Sequence, residues 1–256
     1  MYHFFTSPSN ISKDRITING TDVNHIKNVL RMKIGDELLI SDGCGTDHTC
    51  VISEISDKDI ICDIIEKDAS LSEPSVRFYL FQGMPKADKF EHIIQKSVEL
   101  GVYEIIPVIT SRTVVKYDKK KLELKSERWQ RIAEGAAKQS RRGIIPRVCE
   151  AMTFDKAIEL VSNKGSGISR ILMPYENFKD MSATGRILSS IEPGMSVAIF
   201  VGPEGGFEDD EVRLACEHGA ECISLGSRIL RTETAPLMLL SVLNFDLELR
   251  EADGAE

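Results

Sequence analysis

Residues 197–207 read Val197-Ala198-Ile199-Phe200-Val201 and then Gly202-Pro203-Glu204-Gly205-Gly206-Phe207. The five apolar residues predict a buried strand, and the glycines predict a sharp turn where a ligand can approach main-chain groups. Ligands of open parallel sheets bind at the carboxyl ends of strands, so this turn is a candidate site. The spacing is neither G-x-G-x-x-G nor a P-loop, which removes the main support for nucleotide-binding functions. On its own, the motif is equally compatible with a structural strand–helix turn.

Strand and helix patterns alternate on both sides of this motif, which predicts an α/β fold with a parallel sheet and helices on both faces. The predicted strands are Val76–Gln82, Val102–Ile109, Arg170–Met173, Val197–Val201 and Cys222–Leu225. The predicted helices are Asp88–Leu100, Ser126–Ser140, Phe154–Val161, Asp209–His218 and Ala235–Leu249. In the first helix the spacing of Phe90, Ile93, Ile94 and Val98 predicts one buried face, and Gly101 is the expected C-terminal cap.

The first seventy residues have a different pattern. Short β-branched runs at Glu37–Ser41, Thr49–Ile55 and Asp59–Ile65 predict a small β-barrel. A short helix precedes them, with Thr21 or Asp22 as N-cap and Val23, Ile26 and Leu30 on one face. The polar stretch Lys67–Pro74 is interpreted as a linker. We therefore predict two domains, 1–70 and 74–250.

The last predicted helix, Ala235–Leu249, is apolar nearly all round. Such a helix is expected to be buried on two sides. One side would face its own sheet and the other a second copy of the chain, which predicts a homodimer.

Length and composition are those of a soluble globular protein, because 42% of the 256 residues are hydrophobic and 28% are charged. No apolar run reaches the ~18 residues that a membrane span needs, and the N-terminus does not resemble a signal peptide. We therefore expect a cytoplasmic protein with no membrane partner. Six cysteines without C-x-x-C spacing predict reduced thiols, and five scattered histidines make a metal site improbable.

The net charge of −8 hides a basic stretch. Residues 111–147 contain twelve Lys/Arg and four Asp/Glu, a local charge of +8. This stretch can hold phosphates despite the acidic average, although a solvated helix face explains it equally well. Within it, Ala136-Ala137-Lys138-Gln139-Ser140-Arg141-Arg142-Gly143 ends a predicted helix, and cations at a helix C-terminus are favourable in themselves.

A second strand-end loop, residues 225–235, reads Leu-Gly-Ser-Arg-Ile-Leu-Arg-Thr-Glu-Thr-Ala and leads into the last helix. Thr232 or Thr234 could cap that helix, and Glu233 could pair with its dipole. Arg228 and Arg231 are unfavourable near a helix N-terminus, so they suggest an anionic partner or a buried carboxylate.

Together these stretches resemble the RsmE-type ribosomal RNA methyltransferases of the SPOUT superfamily, over nearly the whole chain. The stretches that carry the resemblance are His25–Arg31, Gly35-Asp36, Asp42-Gly43, Lys89–Gly101, Trp129–Ala133, Gln139–Arg142, Gly202–Gly206 and Leu230–Ala235. The glycine turn alone is shared across SPOUT enzymes, whereas the combination is much narrower. Arg141 stands where some relatives have glycine.

The resemblance implies an S-adenosylmethionine-dependent enzyme that methylates N3 of uridine 1498 in 16S rRNA of the small ribosomal subunit. It also implies an N-terminal PUA-like barrel that holds RNA, and a homodimeric SPOUT-type parallel sheet with a C-terminal trefoil knot. Composition and periodicity could not indicate a knot, since knots are nearly absent from proteins. The cofactor is expected against loops that contain Leu172, Pro174, Val201, Gly202, Pro203, Glu204, Gly205, Gly206, Leu225, Gly226, Ile229, Leu230, Thr232 and Ala235.

The reaction itself demands certain groups. Uracil N3 carries a proton that must leave, so a base or a field that stabilises the uracil anion is needed. We assign Arg142, reaching across the dimer, to the uracil oxygens and Glu233 to the base or to cofactor positioning. Arg231 would orient Glu233 or contact phosphate; the structural alternative is simple pairing of Arg231 with Glu233 at the helix N-terminus.

RNA phosphates are expected to contact basic residues of the barrel and of the basic stretch. These are Lys27, Arg31, Lys119, Lys120, Lys121, Arg128, Lys138, Arg141 and Arg147. Two alternatives stay open at this point: another SPOUT reaction such as ribose 2′-O methylation, and a non-catalytic rRNA-binding assembly factor. Identification of the product nucleoside distinguishes another SPOUT reaction from uracil N3 methylation. Cofactor binding without methyl transfer would indicate the assembly factor.

Overall fold

The computed structural model describes residues 1–86, 88–113 and 119–253, without the side chains of residues 119–121 and 123. The chain divides into two compact units. Unit 1 contains Met1–Glu73 together with Ala137–Ile145, and unit 2 contains the other described residues. The boundary after Glu73 lies close to the limit expected from sequence. The return of Ala137–Ile145 to unit 1 has no counterpart in the sequence pattern.

Unit 1 is built on a five-stranded sheet in the order β1-β3-β4-β5-β2. Its strands are β1 (Tyr2–Phe5), β2 (Arg15–Asn19), β3 (Glu37–Ser41), β4 (Thr46–Ile55) and β5 (Asp59–Ala69). Only β1 and β3 run parallel; the other neighbours are antiparallel. Alternate residues such as Ile16, Ile18, Leu38 and Ile40 form an apolar core. The predicted barrel strands are confirmed, while β1 and β2 were not predicted because they have only four and five residues.

Two local predictions in unit 1 were wrong. The short helix α1 (Thr21–Asn24) is capped by Gly20 rather than by Thr21 or Asp22, and it continues as a π-helical turn over His25–Val29. Val23 and Ile26 are buried as expected. The expected linker begins later, because Lys67, Asp68 and Ala69 extend β5 by pairing with the start of β4.

Unit 2 contains a parallel sheet in the order β12-β10-β11-β6-β7-β8, with β9 pairing to β7. The strands are β6 (Arg77–Gly83), β7 (Val102–Ile109), β8 (Arg147–Val148), β9 (Met152–Thr153), β10 (Arg170–Pro174), β11 (Ser196–Val201) and β12 (Ala220–Ile223). Every pairing is parallel, which confirms the predicted sheet type. The two-residue strands β8 and β9 were not predicted, and β12 begins and ends two residues earlier than predicted.

Helices flank this sheet. They are α2 (Lys89–Glu99), α3 (Lys119–Ser140), α4 (Phe154–Ser162), α5 (Met181–Ser189), α6 (Asp209–Glu217) and α7 (Ala235–Asp253). Helices α4 and α6 share an apolar core with alternate residues of the strands, such as Phe81, Ala198 and Phe200. Helices α2 and α7 pack together and contact β7 and β11 respectively. Helix α5 is capped by the Asp180 carboxylate and was not predicted; its buried residue is Thr184.

Helix α7 buries one side only within its own chain. Pro236, Leu239, Leu240, Leu243 and Leu247 are buried. Val242, Phe245 and Leu249 are exposed, Phe245 to 64%. Among the described residues no helix is both long and apolar enough to span a membrane.

Arg142 lies inside unit 1, where its guanidinium is 3% exposed and pairs with Glu73. Nε donates to Oε1 of Glu73 at 2.9 Å and Nη2 donates to Oε2 at 2.6 Å. The backbone N–H groups of Gly143 and Ile144 donate to the same Oε1. This carboxylate therefore holds the segment after α3 against the rest of unit 1.

Arg142→Ala should lower the free energy of unfolding by about 3 kcal/mol, because it leaves the Glu73 carboxylate without its guanidinium in a largely buried place. Chemical denaturation followed by circular dichroism measures this change. Arg141→Ala is the matched control, since it removes the same charge from an exposed neighbour and should cost under ~1 kcal/mol. Equal denaturation midpoints for the two variants would contradict a structural role of the ion pair.

Candidate active site

Three loops that follow neighbouring strands of unit 2 enclose a cavity of about 390 Å³. The loops begin at Pro174 after β10, at Val201 after β11 and at Ser224 after β12. Since β12, β10 and β11 are adjacent and parallel, their carboxyl ends meet at one edge of the sheet. Lys89, at the start of α2, adds a charged side chain to the wall.

Most residues predicted to contact a cofactor line this cavity. They are Pro174, Val201, Gly202, Pro203, Glu204, Gly206, Leu225, Gly226, Ile229, Leu230, Thr232 and Ala235. Leu172 does not, because it is fully buried within β10, and Gly205 does not line it either. Sequence reasoning missed several lining residues: Lys89, Tyr175, Glu176, Lys179, Phe207, Ser224 and Ser227. Arg228 and Arg231 also line the cavity.

The glycine turn after β11 is tight. The N–H of Gly206 donates to the carbonyl of Pro203 at 2.9 Å, and Gly206 has a φ of 69°, which favours glycine. A Cβ added at Gly83 would lie 2.5 Å from the Pro203 ring. Glycine at the end of β6 therefore allows the turn to pack closely over the neighbouring strand.

Thr232 joins the third loop to this glycine turn. Its hydroxyl donates to the carbonyl of Gly202 at 2.7 Å and accepts from Nε2 of Gln82 at 3.0 Å. Both Thr232 and Gln82 are buried. The alternative that Thr232 caps the last helix is wrong, because its hydroxyl is used in this long-range connection. No local sequence signal could have indicated a partner 150 residues away.

Lys89 lies at the wall of the cavity between the carboxylates of Glu204, which lines the cavity, and Glu233, which does not. Its Nζ is 3.1 Å from Oε1 of Glu204 and 3.3 Å from Oε2 of Glu233. The hydrogen bond from Glu204 raises the pKa of Lys89. Partial burial opposes ionisation of Glu204, but its own backbone N–H and Lys89 outweigh this effect and lower its pKa. The lysine therefore remains charged beside the candidate base.

Arg231 is a weaker partner of Glu233 than Lys89 is. Nη1 of Arg231 is 4.0 Å from Oε1 of Glu233, and the Arg231 side chain is 80% exposed. Simple pairing of Arg231 with Glu233 therefore does not explain why an arginine stands here. Arg231 remains available for an anionic partner.

The predicted phosphate-binding residues are distributed over both units. Lys27, Arg31, Lys138 and Arg141 belong to unit 1, and Arg128 and Arg147 to unit 2. Four of them form surface ion pairs, which contribute little to stability: Lys27 with Asp57, Lys138 with Asp22, Arg128 with Glu91 and Arg147 with Glu104. The side chains of Lys119, Lys120 and Lys121 lie outside the described part of the chain.

Arg31 and Arg141 share an unusual backbone. They have φ angles of 55° and 57°, and they are the non-glycine residues with positive φ among those that the structure describes. Each follows a helical segment, Arg31 after the π-helical turn and Arg141 after α3. Glycine is the usual residue in this position, so both arginines are held with some backbone strain.

Two family models match the chain. An RNA methyltransferase domain matches residues 72–244, and an RNA methyltransferase PUA domain matches residues 18–65. The fold and the cavity thus define an RNA methyltransferase with an additional PUA domain.

Individual relatives indicate to which family of RNA methyltransferases the chain belongs. The chain is 39% identical to ribosomal RNA small subunit methyltransferase E of Bacillus subtilis, covering 93% of this chain and 92% of the relative. It is 30% identical to the protein of that name from Synechocystis, covering 96% and 78%. The crystal structure of the Neisseria gonorrhoeae methyltransferase E bound to S-adenosyl methionine is 30% identical, with a TM-score of 0.78 and coverage of 96% and 98%. The chain belongs to the ribosomal RNA small subunit methyltransferase E family.

Thr232→Val should weaken S-adenosylmethionine binding about tenfold, because it leaves the Gly202 carbonyl and the Gln82 amide without their shared partner. Isothermal titration calorimetry on the full chain measures the effect. Thr234→Val is the matched control, since Thr234 is exposed and does not line the cavity. Equal affinities in the two variants would show that the connection does not hold the site.

Proposed function

We propose that this chain transfers a methyl group from S-adenosylmethionine to N3 of uridine 1498 in 16S rRNA of the small ribosomal subunit. The observation that carries the proposal is the cavity at the carboxyl ends of β10, β11 and β12, in a chain of this family. We infer a cytoplasmic protein, because its substrate is made and assembled there. No step calls for a membrane or a metal.

The residues around the cavity fit S-adenosylmethionine. A volume of about 390 Å³ lies in the range of small-molecule sites. A Cβ added at Gly206 or Gly226 would meet no other atom within 4 Å, so both glycines face open space and leave their backbone accessible. Val201, Leu225 and Leu230 supply apolar surface for a purine. The Glu204 carboxylate supplies negative charge for a cationic ligand.

The cofactor supplies an electrophilic methyl group on a sulfonium. The protein must align that methyl with uracil N3 and remove the N3 proton. We assign the proton transfer to Glu233, whose carboxylate Lys89 holds at 3.3 Å. The positive charges of Lys89 and Arg231 also favour the negative charge that develops on the uracil oxygens. Exposed Arg231 is placed to contact a phosphate or an oxygen of the substrate.

The assignment of Arg142 to the uracil oxygens stays a prediction. Its guanidinium is already bound by Glu73 within unit 1. A role in the reaction would require this ion pair to open. Loss of methyl transfer in Arg142→Ala therefore indicates catalysis only if the variant remains folded and binds the cofactor normally.

We infer that unit 1 and the basic stretch hold the rRNA. The PUA domain match in unit 1 supports this role. Exposed Arg31 and Arg141 are both in unit 1, and an anionic partner would explain why arginine occupies positions where glycine is less strained. Lys27, Lys119, Lys120, Lys121, Arg128, Lys138 and Arg147 complete the proposed set.

The proposed domain limits are those expected from the sequence, 1–70 and 74–250. Family matches at residues 18–65 and 72–244 support them. The trefoil knot implied by the resemblance also stays a prediction. The connection of Thr232 to Gln82 and Gly202 supports it, because the segment before α7 is held among the ends of the central strands β6 and β11.

We propose that the chain acts as a homodimer through helix α7. Val242, Phe245 and Leu249 recur at helical spacing and leave an exposed apolar strip on this helix. An exposed strip of this kind on a stable helix is typical of a protein–protein interface. A second copy would bury it and thereby explain why α7 is apolar on both sides.

The reaction is tested by methyl transfer from labelled S-adenosylmethionine to 16S rRNA and to small-subunit particles, followed by digestion to nucleosides. We expect N3-methyluridine. A 2′-O-methylated nucleoside would indicate a different SPOUT reaction and overturn the proposed target. Cofactor binding without incorporation into either RNA would indicate the non-catalytic assembly factor.

Phe245→Glu should raise the dimer dissociation constant at least about thirtyfold, because it places a charge in an apolar interface. Sedimentation velocity over a concentration series measures this shift. Leu160→Glu is the matched control: Leu160 is also an exposed large apolar residue of unit 2, but it lies on α4. A monomeric wild type, or equal association of both variants, would contradict the proposed interface.

A further inference from the structure

Arg112 belongs to the basic stretch by sequence, but the structure gives it a different environment. It lies in a turn at the end of β7, in which the N–H of Thr113 donates to the carbonyl of Thr110 at 3.0 Å. The backbone N–H of Thr110 in turn donates to the hydroxyl of Thr113 at 2.9 Å. This turn directs the arginine toward the glycine turn that follows β11, rather than leaving it as one of the residues assigned to RNA.

The guanidinium of Arg112 binds both the glycine turn and the start of α6. Nη1 donates to the carbonyl of Gly205 at 2.6 Å. Nε and Nη2 donate to the two carboxylate oxygens of Glu208, at 2.8 and 3.0 Å. The geometry is bidentate, which adds directional specificity to the charge attraction. One side chain thus fixes a main-chain carbonyl of the turn relative to the residue that precedes the helix.

The stem of Arg112 also packs on Gly205. A Cβ added to Gly205 would lie 3.2 Å from both Cβ and Cδ of Arg112. This contact is tighter than ordinary van der Waals contact, so glycine at position 205 leaves the space that the arginine stem occupies. Gly205 does not line the cavity because it packs against the arginine on the other side of the turn.

A second connection ties the same two segments. Oε1 of the buried Glu211 accepts from the backbone N–H of Ser111 at 2.8 Å, and Oε2 accepts from the backbone N–H of Glu208 at 2.9 Å. The residues on either side of the guanidinium contact are therefore already aligned. Glu211 therefore holds the backbone beside Arg112 close to the backbone of Glu208, its ion-pair partner.

The ion pair is charged under ordinary conditions. The hydrogen bond from Arg112 lowers the pKa of Glu208. The stabilisation is therefore present above the unfolded-state pKa of Glu208 and is lost as the pH falls through its folded-state pKa. The pH dependence of this ion pair therefore follows the ionisation of Glu208.

We propose that Arg112 is a positioning residue for S-adenosylmethionine. The turn from Gly202 to Phe207 is held at its first residue by Thr232 and toward its other end by Arg112. Pro203 and Glu204, between these two points, and Gly206, directly after Gly205, line the open cavity. Arg112 does not line the cavity; it acts by fixing the turn that does. This inference rests on the proposed function, because the effect is read out through the cofactor.

Arg112→Ala is expected to raise the Kd for S-adenosylmethionine about tenfold, the effect of losing one strong, charge-assisted contact. The single-turnover rate of methyl transfer at saturating cofactor should stay within about twofold of wild type, because the reacting groups are untouched. Arg112→Lys should bind with intermediate affinity, since an ammonium cannot reproduce the bidentate contact. Calorimetry with S-adenosylmethionine alone and the full chain measures the affinities.

Arg213→Ala is the matched control, because Arg213 is an exposed arginine of α6 that pairs only locally, with Asp210. It should leave the Kd unchanged. Glu208→Gln is a second, independent variant that retains Arg112 and should weaken binding about threefold, because it removes the charge of the pair. If Arg112→Ala shows no cooperative thermal transition and is therefore not folded, Glu208→Gln still tests the proposal.

The outcomes separate the two proposals. If the wild-type chain binds S-adenosylmethionine, and Arg112→Ala and Glu208→Gln both bind it with the same Kd, the positioning role is overturned. The proposed function then still stands. A wild-type chain that does not bind S-adenosylmethionine overturns the proposed function, and the positioning role with it. A reduced single-turnover rate at saturating cofactor, with normal affinity, would also overturn the positioning role.

Discussion

The hydroxyl of Thr232, placed between the Gly202 carbonyl and the Gln82 amide, is the contact on which the candidate site depends. Strand ends in a parallel sheet leave main-chain groups without ladder partners, and a buried group of this kind is costly unless it is hydrogen-bonded. One threonine meets that need for the turn after β11 and at the same time fixes the loop that leads into α7. The cavity between these loops is therefore a consequence of satisfied backbone rather than of the side chains that line it.

The charged groups around the cavity are also connected by a single side chain. Lys89 bridges Glu204 of the glycine turn and Glu233 of the third loop, so one cation from α2 joins two of the loops. Glu204 also accepts from the backbone N–H of Lys86. Because the Glu204 carboxylate is held by hydrogen bonds, a ligand in the cavity meets a charge that need not reorganise, which is the condition for effective electrostatic catalysis. Arg231 stays exposed at this wall, as the proposed contact with the substrate requires.

Much of the fold followed from hydrophobic periodicity. Strands β3 and β7 have the predicted bounds, and the buried face of α2 contains the predicted Phe90, Ile93 and Ile94. Such elements are long enough for their period to be visible. Strands β8 and β9 have two residues each, too few for a period to be visible, and the buried residue of the nine-residue α5 is a threonine. The candidate site was also predicted only in part. Glycine turns indicated two of its loops, whereas no local sequence signal indicated that Tyr175, Lys179 and Lys89 line the cavity.

The sequence by itself determined the strand-end glycine turns, the alternation of strand and helix, and the apolar character of α7, because each depends on neighbouring residues only. The tertiary structure alone decided which distant side chains meet. Lys89 and Glu204, Arg112 and Gly205, and Gln82 and Thr232 are separated by roughly a hundred residues or more and meet because β6, β7 and β11 are adjacent in the sheet. In unit 1, likewise, Arg142 is buried against Glu73, 69 residues away in the chain. The physical reason is that local preference sets the path of the backbone over a few residues, whereas strand pairing brings remote positions within hydrogen-bonding distance.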